Sequence, residues 1–463
     1  MERDDDIEVD YLVVGAGAVG MAFVDTLLAE TTATVALVDR YSRPGGHWNR
    51  AYPFVRLHQP SAFYGVNSLA LGVGRLDTEG GNAGLQGLAS GAEVVAYFDR
   101  VMQERFLPTG RVHWLPEHEF DGSDVVPRAG GARQRIRAAK TVDAAHSEVT
   151  VPSMRPPSYD VADGAVCVAP NALPDVVRDD AQYVVIGAGK TGIDACLWLL
   201  DAGIDPDSIR WIMPRDSWFL DRRNIQPVED SFESTVGGYA LQLEASALAT
   251  SVPDLFRRLE ETGQLLRLDP DVTPTMYRCA TVTKAELEQL RTISGVVRSG
   301  RVRAVGLDAI ELDDGSIPTS RDVVHVDCTA DGFRRRSPEP VFDGDRITLQ
   351  SVRTCQQVFS AAMVAHVEAV YTDEAEKNVL CAVIPSPDAD IDWLRTTLVN
   401  TESTIRWAGE PRIASWLEDA RLNSVKTGLT GAPTPAQIGV LRTIVRHMTG
   451  AVDNLRRLLA EVD

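Results

Sequence analysis

The stretch YLVVGAGAVG, residues 11–20, decides the fold class of this chain. An apolar run leads into Gly15, Gly17 and Gly20, which have the G-x-G-x-x-G spacing, and helix-like residues 21–30 follow. In this context the first glycine permits a tight turn and the second lets the backbone approach a pyrophosphate. The third lets the helix pack closely on the strand. The stretch therefore predicts a strand, a turn and a helix that hold a dinucleotide.

The same pattern recurs about 170 residues later, in YVVIGAGKTG, residues 183–192. It again follows an apolar run and opens a helix-like segment. Two such turns in one chain predict two bound nucleotides, and the usual reason for that is electron transfer between them. The residues of the second turn that we expect to contact a nucleotide are Gly187, Gly189, Lys190, Thr191 and Gly192.

The Gly189-Lys190-Thr191 segment also resembles the end of a P-loop. That motif requires a glycine five residues before Gly189. Position 184 is valine, which excludes a P-loop.

Each turn is followed by a second predicted strand with a different ending. Residues 34–38 end at Asp39, about 20 residues past the first turn, where an acid accepts hydrogen bonds from ribose. Arg40, the next residue, is a further cofactor-binding candidate. Residues 209–213 end instead at Pro214-Arg215, and an arginine there suits the 2′-phosphate of NADP. The pattern favours NADPH at the second site, although Arg222 or Arg223 could serve equally.

The bulk composition excludes several classes of protein. The chain has 463 residues, 44% hydrophobic and 24% charged, as in an ordinary globular protein of two or three domains. Its net charge of −20 argues against a nucleic-acid partner. No apolar run is long enough for a bilayer, and the acidic N-terminus lacks a signal core, so we expect a cytoplasmic protein without a membrane partner. The six cysteines are scattered without a C-x-x-C pair, which disfavours both a disulfide framework and a dithiol redox centre, and the histidines show no metal-ligand spacing.

These patterns predict an α/β fold with two doubly wound, Rossmann-like domains, a largely helical insertion and C-terminal helices. We assign residues 1–174 to the first nucleotide domain and 175–320 to the second, with the insertion at about 225–295. Residues 321–463 are expected to return to the first domain and end in helices. There, the predicted strand 323–327 leads into small residues that could complete the first nucleotide site. The candidates in that segment are Ala330, Asp331 and Gly332.

Several motifs together resemble the class B flavin monooxygenases, which include flavin-containing, Baeyer–Villiger and N-hydroxylating enzymes. Besides the two glycine turns and Asp39, they are Gly45-Gly46-His47-Trp48, Tyr52-Pro53-x-x-Arg56 and Thr329-Ala330-Asp331-Gly332. They span residues 10–335 in the expected order. The resemblance implies that FAD binds the first domain and NADPH the second.

The resemblance also implies a reaction. NADPH would reduce FAD, and a C4a-peroxyflavin formed with O2 would oxygenate a small organic substrate. Gly46, His47 and Trp48 would lie near the flavin, and the catalytic candidates are Arg56, His58 and His47. A homo-oligomer is compatible with the sequence.

Two departures from the family keep other functions open. The linker signature F-x-G-x-x-x-H is absent from residues 151–157, and His58 stands where Baeyer–Villiger enzymes usually carry an acid. One alternative is an NADPH-dependent flavin reductase, dehydrogenase or oxidase that transfers no oxygen. The other is a non-catalytic flavin-binding redox sensor.

Overall fold

Strands and helices alternate through most of the chain, and helices make up most of its last hundred residues. The computed structural model describes residues 6–72, 74–330, 332–426 and 431–462. The strands are β1 (Ile7–Val14), β2 (Val35–Asp39), β3 (Gly65–Val66), β4 (Leu69–Ala70), β5 (Val112–Pro116), β6 (His118–Phe120), β7 (Val125–Pro127), β8 (Ile136–Asp143), β9 (Asp160–Val161), β10 (Val166–Val168), β11 (Tyr183–Ile186), β12 (Ile209–Ile212), β13 (Ser217–Asp221), β14 (Leu265–Leu266), β15 (Met276–Val282), β16 (Gly295–Val297), β17 (Val302–Val305), β18 (Ala309–Leu312), β19 (Gly315–Pro318), β20 (Val324–Asp327), β21 (Phe342–Asp343) and β22 (Arg346–Thr348). The helices are α1 (Ala18–Glu30), α2 (Gly91–Val101), α3 (Leu173–Val176), α4 (Lys190–Asp201), α5 (Val228–Leu248), α6 (Val252–Glu261), α7 (Lys284–Leu290), α8 (Gln357–Val370), α9 (Glu374–Leu380), α10 (Asp392–Ala408), α11 (Pro411–Asp419) and α12 (Pro435–Ala460).

The first sheet has the strand order β21-β22-β8-β1-β2-β5. Its strands run parallel except β21, which joins as an antiparallel edge. Helices α1 and α8 pack together against it, and their apolar side chains share one core with the sheet. Because both faces are covered, β2 is buried along its whole length, which explains its unbroken apolar sequence. We call this sheet and its helices the first unit.

The second sheet is parallel throughout, with the order β10-β20-β11-β12-β16. Helix α4 follows β11 and packs with it in a separate core. We call this sheet and its helices the second unit. Two parallel sheets, each with a glycine turn after a central strand, confirm the predicted α/β class with two Rossmann-like units.

The chain crosses between the units at other points than the sequence suggested. Strand β20, which the sequence placed with the first domain, lies between β10 and β11 in the second sheet. Strand β10 falls before residue 175 but belongs to the second sheet as well. The return to the first sheet comes only at β21 and β22. A short apolar strand with a small-residue end fits either sheet, so its own sequence does not reveal which one it joins.

The segment predicted as an insertion contains α5, α6 and α7, and also β14 and β15, which pair with β13 in a three-stranded sheet. Helix α12 packs along α5, so the C-terminus closes over this segment. Within the described ranges, no helix combines the length and apolar character that a bilayer crossing requires.

Candidate functional site

The first glycine turn has the geometry that its sequence predicts. Gly15 has a φ of +110°, a conformation that side chains rarely adopt, and its N–H donates to Val38 O at 2.8 Å. A Cβ on Gly20 would stand 1.9 Å from the Gly15 carbonyl oxygen, so only glycine lets α1 start so close to the turn. Gly17 caps α1 without a side-chain hydrogen bond, which leaves the first N–H groups of the helix for a ligand.

Asp39 stands at the end of β2, as predicted, and is only 6% exposed. Its Oδ2 accepts a 2.6 Å hydrogen bond from Ala16 N–H and its Oδ1 a 2.8 Å bond from Tyr41 N–H. Burial raises the pKa of this carboxyl, against the lowering effect of the two N–H groups. Asp39 thus stabilises the glycine turn. The lone pairs that these two bonds leave free can accept hydrogen bonds from a ribose. Arg40 lies exposed beside it.

The Gly46-His47-Trp48 segment packs directly on this turn. Gly45 N–H donates to Ala16 O at 2.9 Å, and a Cβ on Gly46 would stand 2.9 Å from Gly17 Cα. Trp48 Nε1 donates to Tyr64 OH at 2.7 Å, and His47 stacks on Trp48 with ring centroids 5.4 Å apart. Desolvation lowers the pKa of His47 to about 4, so its imidazole is neutral at pH 7. The sequence motif therefore forms one wall beside the first turn.

In the second turn, protein packing accounts for two of the three glycines. Gly187 has a φ of +131°, and a Cβ there would lie 2.6 Å from Cys328 O. A Cβ on Gly192 would lie 2.1 Å from Gly187 O. Gly189 has an ordinary φ of −88°, and a Cβ there would meet nothing within 4 Å. Neither strain nor packing requires glycine at this position, so the open space fits the close approach of a pyrophosphate.

A loop of the first unit contacts the start of α4. We call residues 51–58 the Tyr52 loop. Tyr52 OH donates to Asp194 Oδ2 at 2.6 Å, and Lys190 forms an ion pair with the same carboxylate. Phe54 stacks on Trp198 with ring centroids 5.0 Å apart. These contacts form a junction between the Tyr52 loop of the first unit and the helix that follows the second glycine turn.

His58 lies at this junction. Arg222 Nε donates to its carbonyl oxygen at 2.8 Å, and its ring Nδ1 is buried without a protein partner among the described residues. Burial, and then the charges of Lys190 and Arg222, hold the pKa of His58 well below its ordinary value. A neutral imidazole of such low basicity suits hydrogen bonding to a ligand better than the predicted proton exchange near neutral pH.

Arg56 has a different environment. It is exposed, its Nη1 donates to Leu88 O at 3.2 Å, and its backbone bridges to Ser90 at the start of α2. Among the described residues, no hydrogen bond or ion pair joins it to the other predicted site residues. The structure therefore brings His47 and His58 to the site region and leaves Arg56 at the surface.

The small-residue segment after β20 runs between the units. The Cys328 carbonyl packs on Gly187 of the second unit, and Thr150 N–H donates to Gly332 O at 3.0 Å in the first. Ala330 lies half-buried between these two contacts. The predicted Asp331 lies outside the described residues.

Arg215 belongs to a cluster that the sequence does not show. Its Nη2 donates to Asp388 Oδ1 at 2.8 Å, and Arg278 Nε donates to the same oxygen at 2.8 Å. Arg335 Nη1 lies 2.8 Å from Asp388 Oδ2. We call these three arginines with Asp388 the arginine cluster. Guanidinium groups gathered in this way suit the binding of a phosphate.

The structure also corrects the expectation about cysteines. Cys279 and Cys355 form a disulfide with a Cα–Cα distance of 6.3 Å, across a sequence separation of 76 residues. The scattered spacing gave no sign of it, because only the fold brings the two residues together.

Comparison with known proteins identifies close relatives. No family model matches the chain. Two proteins described as uncharacterized, one from Mycobacterium tuberculosis and one from Mycobacterium bovis, are each 52% identical over 418 residues. The match covers 90% of this chain and 78% of theirs.

Among solved structures, the chain is similar to a steroid monooxygenase bound to NADP, at 15% identity and a TM-score of 0.48, over 96% of this chain and 98% of that one. It is also similar to a cyclohexanone monooxygenase from Rhodococcus sp. Phi1 bound to NADP+, at 15% identity and a TM-score of 0.47, over 99% of this chain and 98% of that one. The similarity to a flavin-containing monooxygenase from Stenotrophomonas maltophilia has 17% identity and a TM-score of 0.41, over 76% of this chain and 88% of that one. These similarities concern the fold alone, and they are to the same group that the motifs resemble. At the level of sequence identity, the chain belongs to one protein family with the two mycobacterial proteins.

Proposed function

We propose that this chain is an FAD-dependent oxidoreductase that uses NADPH, and that it is a monooxygenase of a small organic substrate. The observation that supports this most is the pair of strand–glycine turn–helix units, with the Tyr52 loop of the first unit in contact with the helix that follows the second turn. A protein that holds one nucleotide needs one such turn. Two such units in contact through this loop suit a donor and an acceptor of electrons.

The residues of the first unit fit FAD. The uncapped N-terminus of α1 would hold the pyrophosphate, and Asp39 the adenosine ribose. Trp48, fixed by Tyr64, and the neutral His47 would line the site beside the turn. When bound, FAD would accept hydride from NADPH and, once reduced, react with O2, which is chemistry that side chains do not supply.

The residues of the second unit fit NADPH. The open face of Gly189 would admit its pyrophosphate, and the arginine cluster would hold its 2′-phosphate. Arg215 follows β12, where NADP-binding folds place such an arginine. An arginine at this position is the reason to prefer NADPH to NADH.

The junction between the units orients the two nucleotides. Tyr52 and Asp194 hold Lys190 at the start of α4, and the unpartnered Nδ1 of His58 is available to a ligand there. Because the pKa of Tyr52 is raised well above its ordinary value by burial and by Asp194, its hydroxyl stays a hydrogen-bond donor at neutral pH.

A second candidate is an NADPH-dependent flavin reductase or oxidase without oxygen transfer. The sequence at residues 151–157, which lacks the linker signature of the monooxygenases, favours it. Both candidates predict NADPH consumption, whereas a non-catalytic redox sensor predicts none.

The test uses purified protein and a pair of glycine variants. We expect bound FAD, reduction of that FAD by NADPH, and a KM for NADPH that rises about tenfold or more in Gly189→Ala, about 1.4 kcal/mol of lost binding. Gly439→Ala is the matched control, since a Cβ there also meets nothing within 4 Å, but in exposed α12. Equal KM values in the two variants would contradict the assignment of the second turn.

A second measurement separates the two candidates. Isotopically labelled O2 is supplied with NADPH and a panel of amines, sulfides, aromatics and ketones, and products are analysed by mass spectrometry. Label in a product supports the monooxygenase. Label only in hydrogen peroxide or water across the panel supports the reductase or oxidase.

A further inference from the structure

The Cys279–Cys355 disulfide joins the two parts of the molecule that would hold the two nucleotides. Cys355 lies in the loop that leads into α8 of the first unit, and Cys279 lies in β15 of the inserted segment. Cys279 directly follows Arg278, a member of the arginine cluster. The bond therefore connects the proposed 2′-phosphate site to the first unit.

Cys355 stands at the same edge of the first sheet as the first glycine turn. Its loop begins at Leu349, whose N–H donates to Asp143 O at 3.1 Å, at the carboxyl end of β8. Ala144, which follows Asp143 in the chain, packs against Gly15. Near the other end of α8, His366 Nδ1 lies 2.7 Å from Glu30 Oε2 at the end of α1. Helices α1 and α8 thus run in the same direction, and both begin at the edge where the dinucleotide would bind.

The backbone at both cysteines is unusual. Cys279 has a φ of +56° and Cys355 a φ of +58°, in the left-handed region that non-glycine residues rarely occupy. At Cys279 the register between β13 and β15 also shifts, which is the mark of a bulge. Strained residues and bulges concentrate at functional sites, where they direct a side chain.

The surroundings of Cys355 suit a sulfur that carries negative charge. Cys355 immediately precedes Gln356, the N-cap of α8, and no side chain caps that helix. A helix N-terminus favours a thiolate, which is the better leaving group when a disulfide is reduced.

We propose that Cys279 and Cys355 are a redox-active pair that takes two electrons from NADPH through the bound flavin. The inference rests on the proposed function, which supplies NADPH as the reductant. The S–S bond breaks and each sulfur gains one electron and, after protonation, one proton. NADPH loses a hydride, so the balance is NADPH, H+ and one disulfide giving NADP+ and two thiols.

The test counts thiols in the holoprotein by maleimide labelling and mass spectrometry. Anaerobic protein is quenched and denatured, and we expect four labels without NADPH, on Cys167, Cys196, Cys328 and Cys381, and six after NADPH. Flavin absorbance is recorded in the same sample. Tris(2-carboxyethyl)phosphine gives the full count of six.

Two variants control the count. Cys279→Ser should give five labels with or without NADPH, because Cys355 is then always free. Cys167→Ser, at an unpaired half-buried cysteine, should give three labels before NADPH and five after. A titration supplies a further readout: the wild type should take up two NADPH per FAD and Cys279→Ser one.

Three outcomes would overturn the proposal. Six labels before any reductant would show that the pair is not oxidised. Four labels after NADPH with the flavin bleached would leave the proposed function intact and make the disulfide purely structural. If NADPH fails to bleach the flavin, the proposed function fails. Photoreduction of the bound flavin then decides the pair separately, since four labels would refute it and six would support it.

Discussion

The hydroxyl of Tyr52 lies 2.6 Å from Oδ2 of Asp194, and this hydrogen bond crosses from the first unit to α4 of the second. Asp194 also pairs with Lys190, beside the open face of Gly189. One carboxylate therefore links the loop of one nucleotide unit to the glycine turn of the other.

Replacing Tyr52 should weaken the fold through this bond. Tyr52→Phe removes the hydroxyl and leaves the half-buried Asp194 with one hydrogen-bond donor fewer, so we expect a loss of about 1.5–3 kcal/mol in the free energy of unfolding. Urea unfolding measures it. Tyr41→Phe is the control, because within the described chain the Tyr41 hydroxyl makes no hydrogen bond, and its effect should stay within about 0.5 kcal/mol. Equal effects of the two variants would show that the bond does not hold the units together.

The arginine cluster predicts a change in coenzyme preference. Arg215→Ala or Arg278→Ala should raise the KM for NADPH about 10- to 100-fold, as expected for a lost charge-assisted contact to phosphate, and leave the KM for NADH within about twofold. Steady-state kinetics with both coenzymes measure the split.

Arg303→Ala is the matched control for this prediction. Arg303 also pairs with an aspartate, Asp313, but its side chain is exposed on β17 and is not part of the arginine cluster. It should leave both KM values unchanged. If the KM values for NADPH and NADH rise equally in the Arg215 and Arg278 variants, the cluster supports the fold and does not bind the 2′-phosphate.

The sequence predicts those features of the site that depend on residues close together in the chain. Gly15 and Gly187 had to adopt positive φ, and Gly20 and Gly192 had to admit a helix, because these demands arise within ten residues. The position of Asp39 was predictable because the ribose-binding acid of this fold stands about 20 residues after the glycine turn. Its carboxylate proved to hold the turn itself, through Ala16.

The residues that sequence reasoning missed come together only through tertiary structure. Arg278, Arg335 and Asp388 come from three distant segments, and nothing in their neighbours distinguishes them from surface charges. Cys279 and Cys355 were missed for the same reason. Arg56 occupies a motif position and is exposed, so its role at the site stays a prediction.

His47 should make stability depend on pH. Its pKa in the folded protein is about 4, below the ordinary 6.5, so between these values the unfolded chain binds a proton that the folded chain does not. The stability that neutral His47 provides is complete above pH 6.5 and is lost as the pH falls toward 4. Between pH 7 and pH 5 the wild type should lose about 2 kcal/mol more than His47→Gln.

Denaturant unfolding at the two pH values measures this difference, and His113→Gln is the control. His113 is exposed on β5, so its replacement should leave the wild-type pH dependence in place. If His47→Gln loses as much stability as the wild type on acidification, the imidazole is not desolvated in the folded protein.

The three glycines of the second turn should respond differently to alanine, because packing requires only two of them. In Gly192→Ala the new Cβ would stand 2.1 Å from the Gly187 carbonyl oxygen, and backbone atoms cannot move aside as a flexible side chain can. We expect a loss of at least about 2 kcal/mol in the free energy of unfolding, with α4 displaced from β11.

In Gly189→Ala the new Cβ meets no atom, and the variant should cost about 1 kcal/mol or less, the effect of alanine at an N-cap. Its damage should instead appear in NADPH binding. Thermal unfolding without and with NADPH separates the two effects, since a given NADPH concentration should raise the Tm of the wild type more than that of Gly189→Ala. A large loss of stability in Gly189→Ala before any nucleotide is added would mean that its glycine serves the fold, and that the space above it is not reserved for a ligand.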